Sequence, residues 1–123
     1  MAAAGPGSSA RVGGPRRSTS GRGASVSWVV AEEIWRTAAA GEEITIEQIA
    51  RARLAGSYAA DCANQATDWM YRAGGTTSIE WEHALARAWR DVHVVAQNFS
   101  LLPEYYMVGG RVFLGLDPGP KLA

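Results

Sequence analysis

Between residues 79 and 100 the apolar side chains Trp81, Leu85, Trp89, Val92, Ala96 and Phe99 recur at intervals of three and four, the period of one buried face of an α-helix. A second face of the same stretch carries His83, Arg87, Arg90, Val94 and Asn98. Such a helix needs a neighbour over its apolar stripe and has functional groups to offer on the other side. Arg87 also stands one turn before Asp91. An exposed i,i+4 pair of that kind stabilises a helix by only about 0.2–0.5 kcal/mol, so stability alone is a weak reason for it.

The same period governs the chain upstream. Thr45 followed by Gln48 reads as a capping box that opens a helix over about 46 to 73, with Ile49, Leu54, Tyr58, Cys62, Trp69 and Ala73 in its stripe. At 1.5 Å per residue it extends roughly 42 Å. Gly56 and the alanines at 52, 55, 59, 60, 63 and 66 leave a smooth surface that suits close approach by another helix. A shorter helix is expected over about 26 to 40, with Ser25 or Ser27 as its cap, Trp28 and Trp35 on its apolar side, and Gly41 ending it. After Gly74 and Gly75, Thr77 and Glu80 form a second capping-box pattern, which predicts a third helix running to about Ser100 and hairpinned against the long one. Pro103 starts a last short helix expected to stop at Gly109 and Gly110. Residues 112 to 116, VFLGL, read as a short extended piece.

These elements define an all-α chain, a partial four-helix bundle made of an up-down helical hairpin and flanking helices. Every helix carries apolar groups on more than one side, and bundle helices need neighbours over every such stripe. Two neighbours within one chain do not suffice. A homo-oligomer or a complementary domain would supply the rest.

Residues 1 to 25 contain no acid and no aromatic, and Val12 is their only β-branched aliphatic. So little apolar surface cannot offset the entropy of ordering, and the expectation is a disordered basic leader followed by a helical domain over 26 to 123. Four arginines sit in that leader, leaving eight basic against twelve acidic side chains in the body. The body has no basic helix or aromatic-basic alternation, so no specific nucleic-acid partner is expected. No segment reaches the roughly 18 continuous apolar residues of a membrane span, and the leader lacks a secretory apolar region. The expected location is cytoplasmic, without a membrane partner. Cys62 is the single cysteine, which excludes an internal disulfide. His83 and His93 lack the i,i+4 spacing of a helical metal pair, so no metal site is expected.

Three stretches carry a family resemblance in their order and spacing: YAADCANQATDWMYRAGG at 58 to 75, LARAWRDVHVVAQN at 85 to 98 and GGRVFLGLDPG at 109 to 119. Residues from about 28 to 120 resemble the C-terminal helical domain of the acyl-CoA dehydrogenase superfamily, particularly its branch of flavin-dependent aromatic monooxygenases. Members of that superfamily are several times longer and commonly tetrameric, and the chain looks like their last part. The resemblance implies a reduced flavin cofactor, FMN or FAD, once the rest of the site is supplied, with a flavin reductase as a further implied partner.

It also implies site residues. Arg90 and Asp91 match the family's Arg-Asp pair near flavin and subunit contacts, with Arg87 one turn earlier. Gly74 and Gly75 resemble a glycine turn near the phosphate region of some relatives, although a helix exit also explains them. Asn98 stands where related monooxygenases commonly have a histidine proposed to assist oxygen activation or substrate deprotonation. An amide cannot act as a general base near neutral pH. His93 either faces the implied pocket or is a hydrogen-bonded packing histidine. The function implied is that of a C-terminal part of a flavin-dependent oxidoreductase, contributing flavin-pocket and oligomer contacts and inactive alone. The alternative is a non-catalytic helical oligomerisation protein derived from that domain.

Overall fold

The computed structural model describes residues 15 to 122, with side chains from residue 21 onward. Helix α1 spans Pro15–Ala39, α2 Ile46–Ala73, α3 Ala84–Ala96 and α4 Glu104–Phe113, with 3-10 turns at Gly75–Ile79 and Phe99–Leu101. No strand occurs among the described residues. The fold is all-helical and matches a partial four-helix bundle.

Helix α2 begins where its capping box puts it. The Gln48 N–H donates to Thr45 Oγ1 at 3.2 Å, and the Thr45 N–H donates to Gln48 Oε1 at 3.0 Å. The Gln48 amide also donates to Thr37 Oγ1 at 2.8 Å, so the cap of α2 is tied to the last turns of α1. Gly41, at φ +72°, turns the chain between them. That left-handed backbone is the one glycine adopts without steric cost.

Helix α1 starts eleven residues before the expected Val26. Residues 1 to 14 of the expected leader lie outside the described residues, whereas 15 to 25 are helical. Tertiary contact accounts for the longer helix: a Cβ on Gly23 would lie 3.0 Å from Ala59 Cα and 3.1 Å from Cys62 Cβ. The smooth alanine surface of α2 therefore meets α1 backbone to backbone at Gly23. Gly56, by contrast, faces the Leu101 side chain, not a neighbouring helix backbone. Ser25 does not cap α1, and its hydroxyl donates to Gly21 O inside the helix.

The third helix starts and stops inside its expected limits. Ser78 is fully buried and its hydroxyl lies 2.8 Å from Tyr71 O and 2.7 Å from Gly75 O, which locks residues 75 to 79 into a tight turn. The Thr77–Glu80 box has no α-helix to open. His83 becomes the cap instead, accepting from the Leu85 N–H at Nδ1. Helix α4 runs through Gly109 and Gly110 because Gly109 packs flat against Leu54. Val112 and Phe113 end that helix, so VFLGL is not extended.

Partners along α2 run in opposite order on every neighbour. Ser27 meets Ala55 and Glu33 meets Arg51 on α1; Asp68 meets Trp89 on α3, and Asp61 meets Tyr106 on α4. Helix α2 is thus a central rod with α1 antiparallel on one side and the broken rod α3–α4 antiparallel on the other. Its inner positions are small, Ala50, Ala55, Cys62 and Ala66, and the core is thin. Large rings remain outside it: Trp28 is 73%, Trp35 74% and Trp81 75% exposed. One copy leaves these apolar stripes uncovered.

Candidate functional site

Two polar clusters interrupt the apolar contact between α2 and the α3–α4 rod. Both are built on aspartates of α2 seven residues apart, and therefore on one helical face. In the first, Asp68 Oδ1 accepts from Trp89 Nε1 at 2.6 Å and lies 3.6 Å from His93 Nε2. His93 Nδ1 stands 2.8 Å from the Trp89 carbonyl oxygen, and the two rings lie 4.3 Å apart. Tyr71 extends the stack, 5.7 Å from Trp89. Both nitrogens of His93 thus face acceptors of its own chain. The ring is held between α2 and α3.

In the second cluster the Tyr106 hydroxyl donates to Asp61 Oδ2 at 2.7 Å. Burial, then the hydrogen bond to Asp61 and its negative charge, push the Tyr106 phenol well above its ordinary value. The Tyr58 phenol, beside Cys62 one turn on, is also pushed upward, chiefly by that thiol. Cys62 is buried, in keeping with a structural thiol. Arg53 does not join this cluster and lies over the Tyr105 ring.

Arg87, Arg90 and Asp91 of α3 join neither cluster. Arg90 donates from Nη2 to the Trp81 carbonyl oxygen at 2.9 Å, and its guanidinium lies 3.9 Å from the centroid of the Trp81 ring. Arg87 and Asp91 are exposed. The ion pairs among the described residues do not include Arg87–Asp91; they are Arg36–Glu32, Arg51 with Glu33 and Glu47, His93–Asp68 and Lys121–Glu104. Asn98 caps the turn at Phe99–Leu101, its Oδ1 accepting from the Ser100 N–H at 2.9 Å. Gly74 is the C-cap of α2, with its N–H bonded to Met70 O. Gly75, at φ +63°, makes the turn.

Three grooves of the described surface lie elsewhere. One of about 420 Å³ runs between α1 and α2 beside Val30, Ile34, Trp35, Ala52 and Gly56. A second, of about 380 Å³, continues it past Ile44 and Leu101, and a third, of about 250 Å³, lies by Val26, Leu54, Tyr58 and Tyr106. None of the three is lined by Arg87, Arg90, Asp91, His93, Asn98, Gly74 or Gly75. No helix among the described residues is long and apolar enough to cross a membrane.

Residues 24–102 match the acyl-CoA dehydrogenase C-terminal domain family. This chain belongs to that family. The domain is 33% identical over 87 residues to an indole-3-acetate monooxygenase of Acinetobacter baumannii, covering 71% of this chain and 22% of the relative. It is 35% identical over 85 residues to HsaA, the oxygenase subunit of a flavin-dependent monooxygenase of Mycobacterium tuberculosis, covering 68% and 22%. The crystal structure of the M. tuberculosis HsaA monooxygenase superposes with a TM-score of 0.76 at 27% identity, over 96% of this chain and 32% of that one. The chain spans about a fifth of the length of the curated relatives it matches.

Within this acyl-CoA dehydrogenase-type domain, the residues present fit one end of a flavin and not the whole. Among the described residues neither Arg87 nor Arg90 has a carboxylate partner, so both guanidiniums remain available to an anionic group. Neither lines any of the three grooves described above. Sequence reasoning missed Asp68, the residue that engages both Trp89 and His93. The available signal was the polar series Asp61, Asn64 and Asp68, spaced three and four apart inside an otherwise apolar helix.

Proposed function

We propose that this chain is the C-terminal helical part of a flavin-dependent oxidoreductase of the monooxygenase kind, and that it does not turn over substrate alone. The outer side of α3, with Arg87, Arg90 and Asp91, supplies one wall of a site for reduced FMN or FAD. The Gly74–Gly75 turn borders that wall. Exposed Trp28 and Trp35 on α1 supply the surface for further copies or for a complementary flavoenzyme domain. A flavin reductase is the electron source this reading requires, and its location is the cytoplasm. The observation that carries it is the similarity to the flavin monooxygenase relatives over a stretch that makes up 22% of their length.

The test combines sedimentation velocity with flavin titration of the purified chain. The expected result is concentration-dependent association with a blue shift of tryptophan emission, and no oxygen-dependent product with reduced flavin. A cooperatively melting monomer at every concentration would overturn the assembly claim; product formation by the chain alone would overturn the claim of inactivity.

The second reading is a non-catalytic oligomerisation protein. It draws on the engagement of His93 with Asp68 and Trp89 and on Asn98 serving as a cap. Association without any flavin affinity favours it.

A further inference from the structure

The exposed side of α1 repeats with a period of its own. Gly21, Ala24, Trp28, Ala31, Trp35 and Ala38 follow one another at alternating steps of three and four, the heptad spacing with which one helix seats along another. This is not the side that packs on α2, which is met by Gly23, Ser27 and Thr37. Trp28 and Trp35 are exposed in the single copy. Ala31, Trp35 and Ala38 form one bank of the groove of about 420 Å³ whose other bank is Ala52, Ala55 and Gly56 of α2.

Two properties of the stripe select its occupant. The first is size. One heptad position holds Gly21, Trp28 and Trp35, and the other holds Ala24, Ala31 and Ala38. In a parallel pair each position meets itself, so indole would face indole; in an antiparallel pair the two positions meet each other. An antiparallel copy sets Trp28 against Ala31, Trp35 against Ala24 and Gly21 against Ala38 in a single register, large opposite small at both tryptophans. Two-fold symmetry repeats each of these contacts. The second property is charge. Before Trp28 the helix carries Arg16, Arg17 and Arg22 and no acid, whereas after it the helix and the following turn carry Glu32, Glu33, Glu42 and Glu43 against Arg36 alone. Antiparallel pairing brings the basic end of each helix to the acidic end of the other, and parallel pairing would bring like to like. Four indoles in one such interface contribute about 600 Å² or more, a large part of the roughly 1,200–2,000 Å² that a stable interface buries.

We infer that the occupant of this groove is α1 of a second copy, seated antiparallel through the Trp28–Ala31 and Trp35–Ala24 layers. This rests on the reading of the α1 surface as an assembly face and deepens it by naming the partner, its direction and its register. Arg16, Arg17 and Arg22 precede the segment matched to the acyl-CoA dehydrogenase family, which begins at residue 24. The charge match is therefore a property of this chain's own helix.

The test is sedimentation velocity of the whole chain over a concentration series, with helix content followed by circular dichroism. Trp28→Ala and Ala31→Trp each weaken dimerisation about tenfold or more, the first by removing a central aromatic anchor and the second by setting indole against indole. Both positions are exposed in the single copy, so neither substitution touches the core. The double variant Trp28→Ala, Ala31→Trp exchanges the two sides of the layer, conserves its volume and returns to within about fivefold of wild type. Raising the ionic strength from about 0.05 to 0.5 M weakens wild-type association severalfold. Association unchanged by either single substitution, a double variant no stronger than the weaker single one, or association indifferent to salt overturns the α1 pairing and leaves assembly through another face standing. A monomer at every concentration overturns the pairing and the assembly reading together.

Discussion

Asp68→Ala tests whether one carboxylate sets the position of α3 on α2. Its Oδ1 accepts the Trp89 indole hydrogen at 2.6 Å, a charge-assisted bond worth about 1.5–3 kcal/mol. The Asp68 side chain is 41% exposed, so water partly re-satisfies the indole after truncation and the lower end of that range applies. The contact with His93 at 3.6 Å is between two partly exposed groups and adds only about 0.2–1 kcal/mol. The expected loss is therefore about 2 kcal/mol, a roughly thirtyfold change in the folded-to-unfolded ratio. Asp68→Asn keeps an acceptor and loses the charge, so about half of that loss is expected. Urea unfolding at fixed protein concentration measures both, with Trp89→Phe and His93→Gln completing two double-mutant cycles. Coupling to Trp89 should exceed coupling to His93 by about 1 kcal/mol. A loss below about 0.5 kcal/mol in Asp68→Ala, or a stronger coupling to His93 than to Trp89, would refute the reasoning.

Gly23→Leu drives a side chain into Ala59 and Cys62, and should destabilise by about 2 kcal/mol or more, read as a lower urea midpoint. Gly109→Ala collides with Leu54 and should cost about 1–3 kcal/mol, while Gly56→Ala meets only a terminal methyl of Leu101 and should stay near neutral because alanine gains up to about 1 kcal/mol of helix propensity; equal losses at the two sites would contradict the packing described. The Tyr106 phenol is raised in the folded state, so the fold retains its proton where the unfolded chain has lost it. That stabilisation is complete below about pH 10 and declines as pH rises above it. Thermal melts from pH 9 to 11 should show a steeper alkaline decline in wild type than in Tyr106→Phe; parallel curves would exclude the contact with Asp61 as its source.

Local chemistry was legible wherever a short pattern closes on itself. The Thr45–Gln48 box, the 46 to 73 helix and the Gly41 turn depend on residues within a few positions of one another, and all three stand as expected. The equally regular Thr77–Glu80 pattern failed because Ser78 reaches back to the Tyr71 and Gly75 carbonyls, a competition between two locally sound arrangements. Gly109 and Gly110 read as a stop, yet the helix passes through them because Leu54 of a distant segment occupies the space a side chain would need.

The same division holds for the candidate site. His93, Arg90 and Asn98 could be picked out from their place on an amphipathic period and from resemblance, since residue type and spacing are properties of the chain. What each one touches is not. The antiparallel seating of α3 on α2 puts Asp68 against Trp89 and His93, and the turn before α3 lays Trp81 over Arg90. Periodicity alone determined that this protein is helical and that its helices carry more apolar surface than one another can cover, because both follow from 3.6 residues per turn. Which polar groups are engaged and which stay exposed was decided only when the helices packed, because those contacts join residues far apart in the chain.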